Sequence, residues 1–126
     1  INRIMNTIIS DADLRAIQNA AQKNKNDSRF FKKLLRKKKV VQDEHVPKHT
    51  VRLNSLVVLW HSILRKVVKI RIVLPGEADL KQKNISVFAP ISMAIFGSRE
   101  NDSIHMNIGG FKKELKIIKV ISSRAQ

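Results

Sequence analysis

Apolar and polar residues alternate with two distinct periods along this chain, and the period changes near its middle. Leu14, Ile17 and Ala21 recur at helical spacing behind Ser10 and Asp11, either of which can cap a helix. Asp11 and Asp13 sit near the positive end of that helix, where carboxylates are favourable. Thr7–Ile9 reads as a short apolar lead-in. The polar run Lys23–Asp27 breaks the pattern, and Asp27 or Ser28 can cap a second helix. Phe30, Phe31, Leu34 and Leu35 form its apolar face, with Lys32, Lys33 and the Arg36–Lys39 run on the other side. Two short helices joined by a polar turn predict an αα-hairpin. Gln42–Lys48 is a polar connector containing Pro47, and the domain boundary is placed there: a helical unit over 1–46 and a second domain over 47–126.

Beyond the connector the period is two. Val51–Trp60 is apolar on both faces and predicts a central strand. Lys66–Leu74 alternates, with Val68, Ile70, Ile72 and Leu74 inward and Lys69 and Arg71 outward, until Pro75-Gly76 stops it. Lys81–Asn84 reads as a loop. Ile85–Phe88 is β-prone, Pro90 suits the first turn of a helix, and Gly97 suits its left-handed end. Ile91, Ala94 and Ile95 give that helix one apolar face. Ile104, Met106 and Ile108 alternate up to Gly109-Gly110, a hairpin signal because both turn residues need positive φ. The return strand carries Leu115, Ile117 and Val120, whose phase slips after Ile117 and predicts a β-bulge. The expected architecture is α+β: an antiparallel sheet of four or five strands with one short helix, preceded by the helical hairpin.

The 126 residues suit one domain, or one domain with a small appendage. Aromatics are few, so the core must be mostly Ile, Leu and Val. The absence of cysteine removes disulfides, thiol catalysis and Cys-based zinc sites, and fits a reducing cytosol. No apolar run approaches the ~18 residues of a membrane span, so no membrane partner is expected. Ile1–Asn6 lacks the hydrophobic segment of a signal peptide, and Met5 is a candidate natural start, which would leave Ile1–Ile4 as non-native lead residues. The net charge is +15, and it is spread over both halves. Such a charge draws a chain to nucleic acid, an anionic membrane or an acidic protein surface.

Residues 85–103 carry a family resemblance. Ala89-Pro90-Ile91, Ala94, Gly97, Arg99 and Asp102-Ser103-Ile104 resemble the signature of the C-terminal domain of the Gre transcript-cleavage factors. Val46-Pro47, Val51, Leu53-Asn54-Ser55, Leu74–Asp79 and Ile108-Gly109-Gly110 resemble its Rnk-type branch (regulator of nucleoside diphosphate kinase). The Gly that the family places before the Asp is Asn101 here, which can still adopt a left-handed turn. The resemblance spans Val46–Ile121. It implies an FKBP-like domain behind a truncated coiled coil, and a bacterial, cytoplasmic transcription regulator whose partner is RNA polymerase at the secondary-channel rim.

The candidate sites follow from that resemblance. Phe88, Ala89, Pro90 and Ile91 match the loop with which Gre-type domains grip the polymerase, and Asp79 is a further candidate; the cleavage factors usually carry an acid where Phe88 stands. An exposed aromatic beside a rigid proline is a good low-entropy anchor, while the alternative places Phe88 in the core. In the cleavage factors the tip of the coiled coil holds a metal ion on paired carboxylates, as a hard divalent cation requires. Here Lys23–Asp27 offers one acid among two lysines, and a helix of about 14 residues reaches only ~21 Å. No catalytic residue, metal or cofactor is therefore expected.

Lys32, Lys33, Arg36, Lys37, Lys38 and Lys39 form a basic surface that can make weak nucleic-acid contact or lie as a solvated helix face. His45 and His49 are four apart, but Pro47 between them argues against a shared helix face. At Ser62–Arg65, where relatives tend to use a polar turn, Ile63 and Leu64 sit beside Trp60, either as a contact surface or folded back on the hairpin. A basic nucleic-acid-binding protein is the competing class. A peptidyl-prolyl isomerase, which FKBP-like folds include, needs a pocket of several aromatics that one Trp and no Tyr cannot line.

Overall fold

The computed structural model describes residues 7–122. The expectations for Ile1–Asn6, including Met5 as a start, lie outside the described residues. The N-terminal unit begins with strand β1 (Thr7–Ser10) and helix α1 (Asp11–Ala21). Ser10 caps α1 as expected, its hydroxyl accepting from the Asp13 N–H at 2.9 Å. Helix α2 (Lys25–Leu35) starts earlier than the Asp27 or Ser28 cap predicted. Asn24 is the cap: its side-chain oxygen accepts from the Asp27 N–H at 2.8 Å, so Asp27 lies inside the first turn. The Ser28 hydroxyl donates instead to the Ala21 carbonyl at 2.9 Å, tying α2 back to α1.

Strand β2 (Lys38–Val41) then pairs in parallel with β1, Thr7 opposite Lys38 through Ser10 opposite Val41. The unit is therefore a β-α-α-β module, not a bare helical hairpin. Helix α2 ends at Leu35, and Lys37 adopts φ 61°. The Arg36–Lys39 run consequently forms a turn and a strand, which corrects its assignment to a helix face.

The second unit is a five-stranded sheet in the order β5-β4-β3-β7-β6. Its strands are β3 (Leu56–His61), β4 (Lys66–Val73), β5 (Asn84–Ser86), β6 (Ser103–Ile108) and β7 (Phe111–Ile121). Strand β3 is central, as its two-sided apolar pattern predicted, but it starts at Leu56 and not at Val51. A turn precedes it, with Asn54 at φ 72° and the Ser55 hydroxyl accepting from the Arg52 N–H at 2.8 Å. All pairs are antiparallel except the edge pair β4–β5, which is parallel.

The predicted bulge is present. Leu59 pairs with Ile117 and Val58 with Lys119, so Ile118 is the extra residue. Gly109 and Gly110 both have positive φ in the β6–β7 turn. Helix α3 (Pro90–Ile95) runs from Pro90 at its first position to Gly97 at φ 85° just past its end.

One apolar core joins the two units. Val57, Leu59, Ile70, Ile72, Leu115, Ile117 and Val120 from the sheet, Ile95 from α3 with Phe96 just past its end, and Ile17, Ala21 and Leu34 from the helices are all buried in it. The backbone also crosses between units at Gly97: the Ile8 N–H donates to the Gly97 carbonyl at 3.4 Å. A Cβ on Gly97 would stand 2.4 Å from the Ile8 carbonyl oxygen, so glycine is required there for space as well as conformation.

Candidate functional site

The helical module is held to the sheet by a charged hub. Arg52 donates through Nε to Asp13 at 3.2 Å, through its terminal nitrogen to the Ser10 hydroxyl at 3.0 Å, and also to Asp43. Asp13 accepts in addition from the Leu53 N–H at 3.2 Å, and Asp11 accepts from the Asp43 N–H at 3.1 Å. The side chains of Arg52 and Asp13 are 16% and 7% exposed. Burial pulls the Arg52 guanidinium down, and the hydrogen bonds and charges of Asp13 and Asp43 more than offset it, leaving it raised. Three chain segments thus converge on one cation. Nothing in the local pattern around Arg52 signalled this; its partners come from distant positions.

The start of α3 places the predicted docking residues unequally. Phe88 is 5% exposed and belongs to the core, which corrects the expectation of an exposed aromatic anchor. The chain turns there because the Ala89 N–H donates to the Ser86 carbonyl at 2.9 Å and the Phe88 N–H to the Ser86 hydroxyl at 3.1 Å. The turn sends the ring inward against Phe30 of α2, with centroids 6.5 Å apart. Pro90 is exposed, and Ala89 and Ile91 are half-buried. What faces solvent is a rigid Ala-Pro-Ile corner without its aromatic. Asp79 is exposed but lies on a separate turn, where it accepts from the Lys81 N–H at 3.1 Å.

The basic residues divide as well. Lys32, Lys33, Arg36, Lys37 and Lys39 are exposed. Lys38 turns inward, donating to the Thr7 hydroxyl at 3.1 Å, and burial lowers its ammonium to about 8. At the hairpin tip, Asp27 accepts from its own cap residue, Asn24 Nδ2, at 3.1 Å. Among the described residues no group of three or more His, Asp or Glu side chains converges in a way that could hold a metal ion. His61 is buried and accepts from the Leu64 N–H at 3.2 Å; burial, with Lys113 nearby, lowers its pKa. Ile63 and Leu64 are 52% and 55% exposed, so they do not fold back on the helices. No helix among the described residues is long and apolar enough to cross a membrane.

A β-α-α-β arm docked on an antiparallel-rich sheet, with a proline-started helix at their junction, defines a class. Residues 46–122 match the family described as transcription elongation factor, GreA/GreB, C-terminal domain, and the chain belongs to that family. Among curated relatives, the transcription elongation factor GreA of Sinorhizobium medicae is 26% identical over 110 residues, covering 87% of this chain and 70% of that protein. GreA of Alkalilimnicola ehrlichii is 38% identical over 55 residues, covering 44% of this chain and 35% of that protein. Among solved structures, a prokaryotic transcription elongation factor GreA/GreB from Nitrosomonas europaea superposes with a TM-score of 0.69 at 23% identity. That match covers 92% of this chain and 98% of that one, a likeness of fold. The residue that replaces the family glycine, Asn101, does adopt the left-handed turn, with φ 78°.

Proposed function

We propose that the chain is an Rnk-like transcription regulator that binds bacterial RNA polymerase at the rim of its secondary channel without stimulating transcript cleavage. Residues 47–126 act as the docking module and 1–46 as a shortened arm. The observation that carries this reading is the fixed corner at the start of α3. Pro90 sets the backbone there, and its neighbours are anchored through Phe88 in the core, so little conformational freedom is lost on binding. The arm is short: each helix has 11 residues, about 16 Å of rise. The carboxylate nearest its tip, Asp27, is bonded to Asn24 and flanked by Lys23 and Lys25. A divalent cation at that point would meet net positive charge.

Co-purification with core RNA polymerase tests the reading. Ala89→Arg and Pro90→Glu alter the solvent-facing corner and leave Phe88 in place. Loss of binding in both, with circular dichroism unchanged, is the expected result. Retention of full binding by both would refute the docking surface, and stimulation of transcript cleavage by the wild-type chain would refute the functional class.

A further inference from the structure

The sheet has a second face, turned away from the core, and its composition is set by strand register. Trp60 pairs with Val67 on one side and Lys116 on the other; Val58 pairs with Lys69 and Lys119. Paired residues share a face, so an indole and three ammonium groups stand together on three adjacent strands, about 4.8 Å apart from strand to strand. Trp60 is 37% exposed, and the three lysines are exposed. The bulge at Ile118 makes the arrangement possible. Without the extra residue, strict alternation would turn Lys119 toward the core and Val120 toward solvent; with it, Val120 is buried and Lys119 faces out. Glu114 is the one carboxylate at the outward positions of β3, β4, β6 and β7.

We propose that this face binds single-stranded nucleic acid, a base stacking on Trp60 and the backbone phosphates lying over Lys69, Lys116 and Lys119. Flat π-surface and cationic charge are interleaved at strand spacing. A single strand presents a matching alternation, since each unit carries one unpaired base and one phosphate. A duplex hides its base faces, and an acidic protein surface offers carboxylates without a regular flat ring. The site is distinct from the α3 corner and from the Arg36–Lys39 run, and its test needs no polymerase, so it stands or falls independently of the docking reading.

The chain supplies its own probe, because Trp60 is its single tryptophan. The full chain is titrated with a fluorescein-labelled oligothymidine, with its unlabelled form, and with a duplex of equal length, over a series of salt concentrations. Binding of the single strand quenches Trp60 fluorescence, and log affinity falls linearly with log salt. Lys116→Gln and Lys119→Gln each reduce that slope by about 0.7. Trp60→Leu, read by anisotropy, weakens binding by roughly five- to a hundredfold, and Trp60→Phe restores most of it. Should Trp60→Leu fail to fold by circular dichroism, the quenching and the lysine slopes carry the test. Lys25→Gln and Arg29→Gln on α2 leave the quenching unchanged. Duplex binding as tight as single-strand binding without quenching would overturn the proposal. So would polyglutamate displacing the oligonucleotide at equal charge concentration, or a folded Trp60→Leu variant with unchanged affinity.

Discussion

Replacing Arg52 with methionine tests whether the two units are joined by a buried ion pair or merely rest on each other. Methionine keeps the apolar stem of the side chain and removes the guanidinium. Asp13 then keeps the Leu53 N–H as a partner but loses both contacts from Arg52, at 3.2 and 3.3 Å. A surface ion pair is worth about 0–1 kcal/mol. A buried carboxylate stripped of its counter-charge costs about 3–5 kcal/mol, and Asp13, with its side chain 7% exposed, belongs to the second class. Small domains have total stabilities of about 5–15 kcal/mol, so the variant loses a large share.

Urea denaturation measures this loss. With a slope of about 2 kcal/mol per molar, the midpoint falls by roughly 2 M. Hydrogen exchange adds the location: amides of β1, α1, α2 and β2 lose protection before those of β3 and β7. A second substitution sharpens the test. Asp13→Asn placed on top of Arg52→Met removes the stranded charge, so the double variant is more stable than Arg52→Met alone, although Asp13→Asn destabilises the wild type. A loss below 1 kcal/mol for Arg52→Met, or additive effects of the two substitutions, would refute the hub as the clamp between the units.

Lys38→Met removes an ammonium whose pKa falls from 10.5 to about 8 on burial. At pH 7 both states are charged and the full penalty applies, about 3 kcal/mol; after loss of the Thr7 hydrogen bond, worth about 1 kcal/mol, the variant gains about 2 kcal/mol. The wild type binds fewer protons folded than unfolded between those two pKa values, so its stability rises with pH across that window and the advantage of Lys38→Met shrinks; thermal melts at pH 7 and pH 10.5 check both. His61 has the same sign at lower pH: its folded pKa lies below 6.5, so stability is lost as pH falls from 6.5 through the folded value, and His61→Gln flattens that part of the profile. Gly97→Ala meets both a positive φ and the Ile8 carbonyl, and is expected to lower stability by about 2–4 kcal/mol in chemical denaturation.

The features that could be read from sequence were those fixed by neighbours in the chain. Pro90 and Gly97 bracket α3 because each constrains its own backbone. Gly109-Gly110 makes its turn for the same reason. The slip in phase after Ile117 announced the bulge, since alternation is a property of the strand itself. The misread features depended on partners elsewhere. Thr7–Ser10 and Lys38–Val41 are four-residue segments whose strand character comes only from pairing with each other across the helices. Asn24, Asp27 and Ser28 are all acceptable caps; the Ser28 hydroxyl bonds the Ala21 carbonyl and the Asp27 carboxylate bonds the Asn24 amide, and Asn24 caps the helix. Phe88 carries no local mark of direction, and Phe30 decides that it points inward. Of the residues expected around the start of α3, Pro90 faces solvent and Phe88 lies in the core.

The net charge of +15 also takes on a definite meaning once the carboxylates are located. Asp13 and Asp43 face Arg52 in the hub. Asp11 accepts from the Asp43 N–H, Asp79 from the Lys81 N–H, Asp102 from the Arg99 N–H and Glu100 from the Val120 N–H. Asp27 is bonded to Asn24. Seven of the ten acids in the sequence therefore hold turns, caps or the junction between units. Among the described residues most lysines and arginines are left on the outside, while Arg52 and Lys38 turn inward and Arg71 and Lys113 are half-buried. A carboxylate that accepts a backbone N–H is fixed at its turn and is poorly placed to neutralise a lysine on the open face of the sheet. The positive surface is in this sense a consequence of how the fold uses its acids, and it acts on polyanions at long range through its summed field.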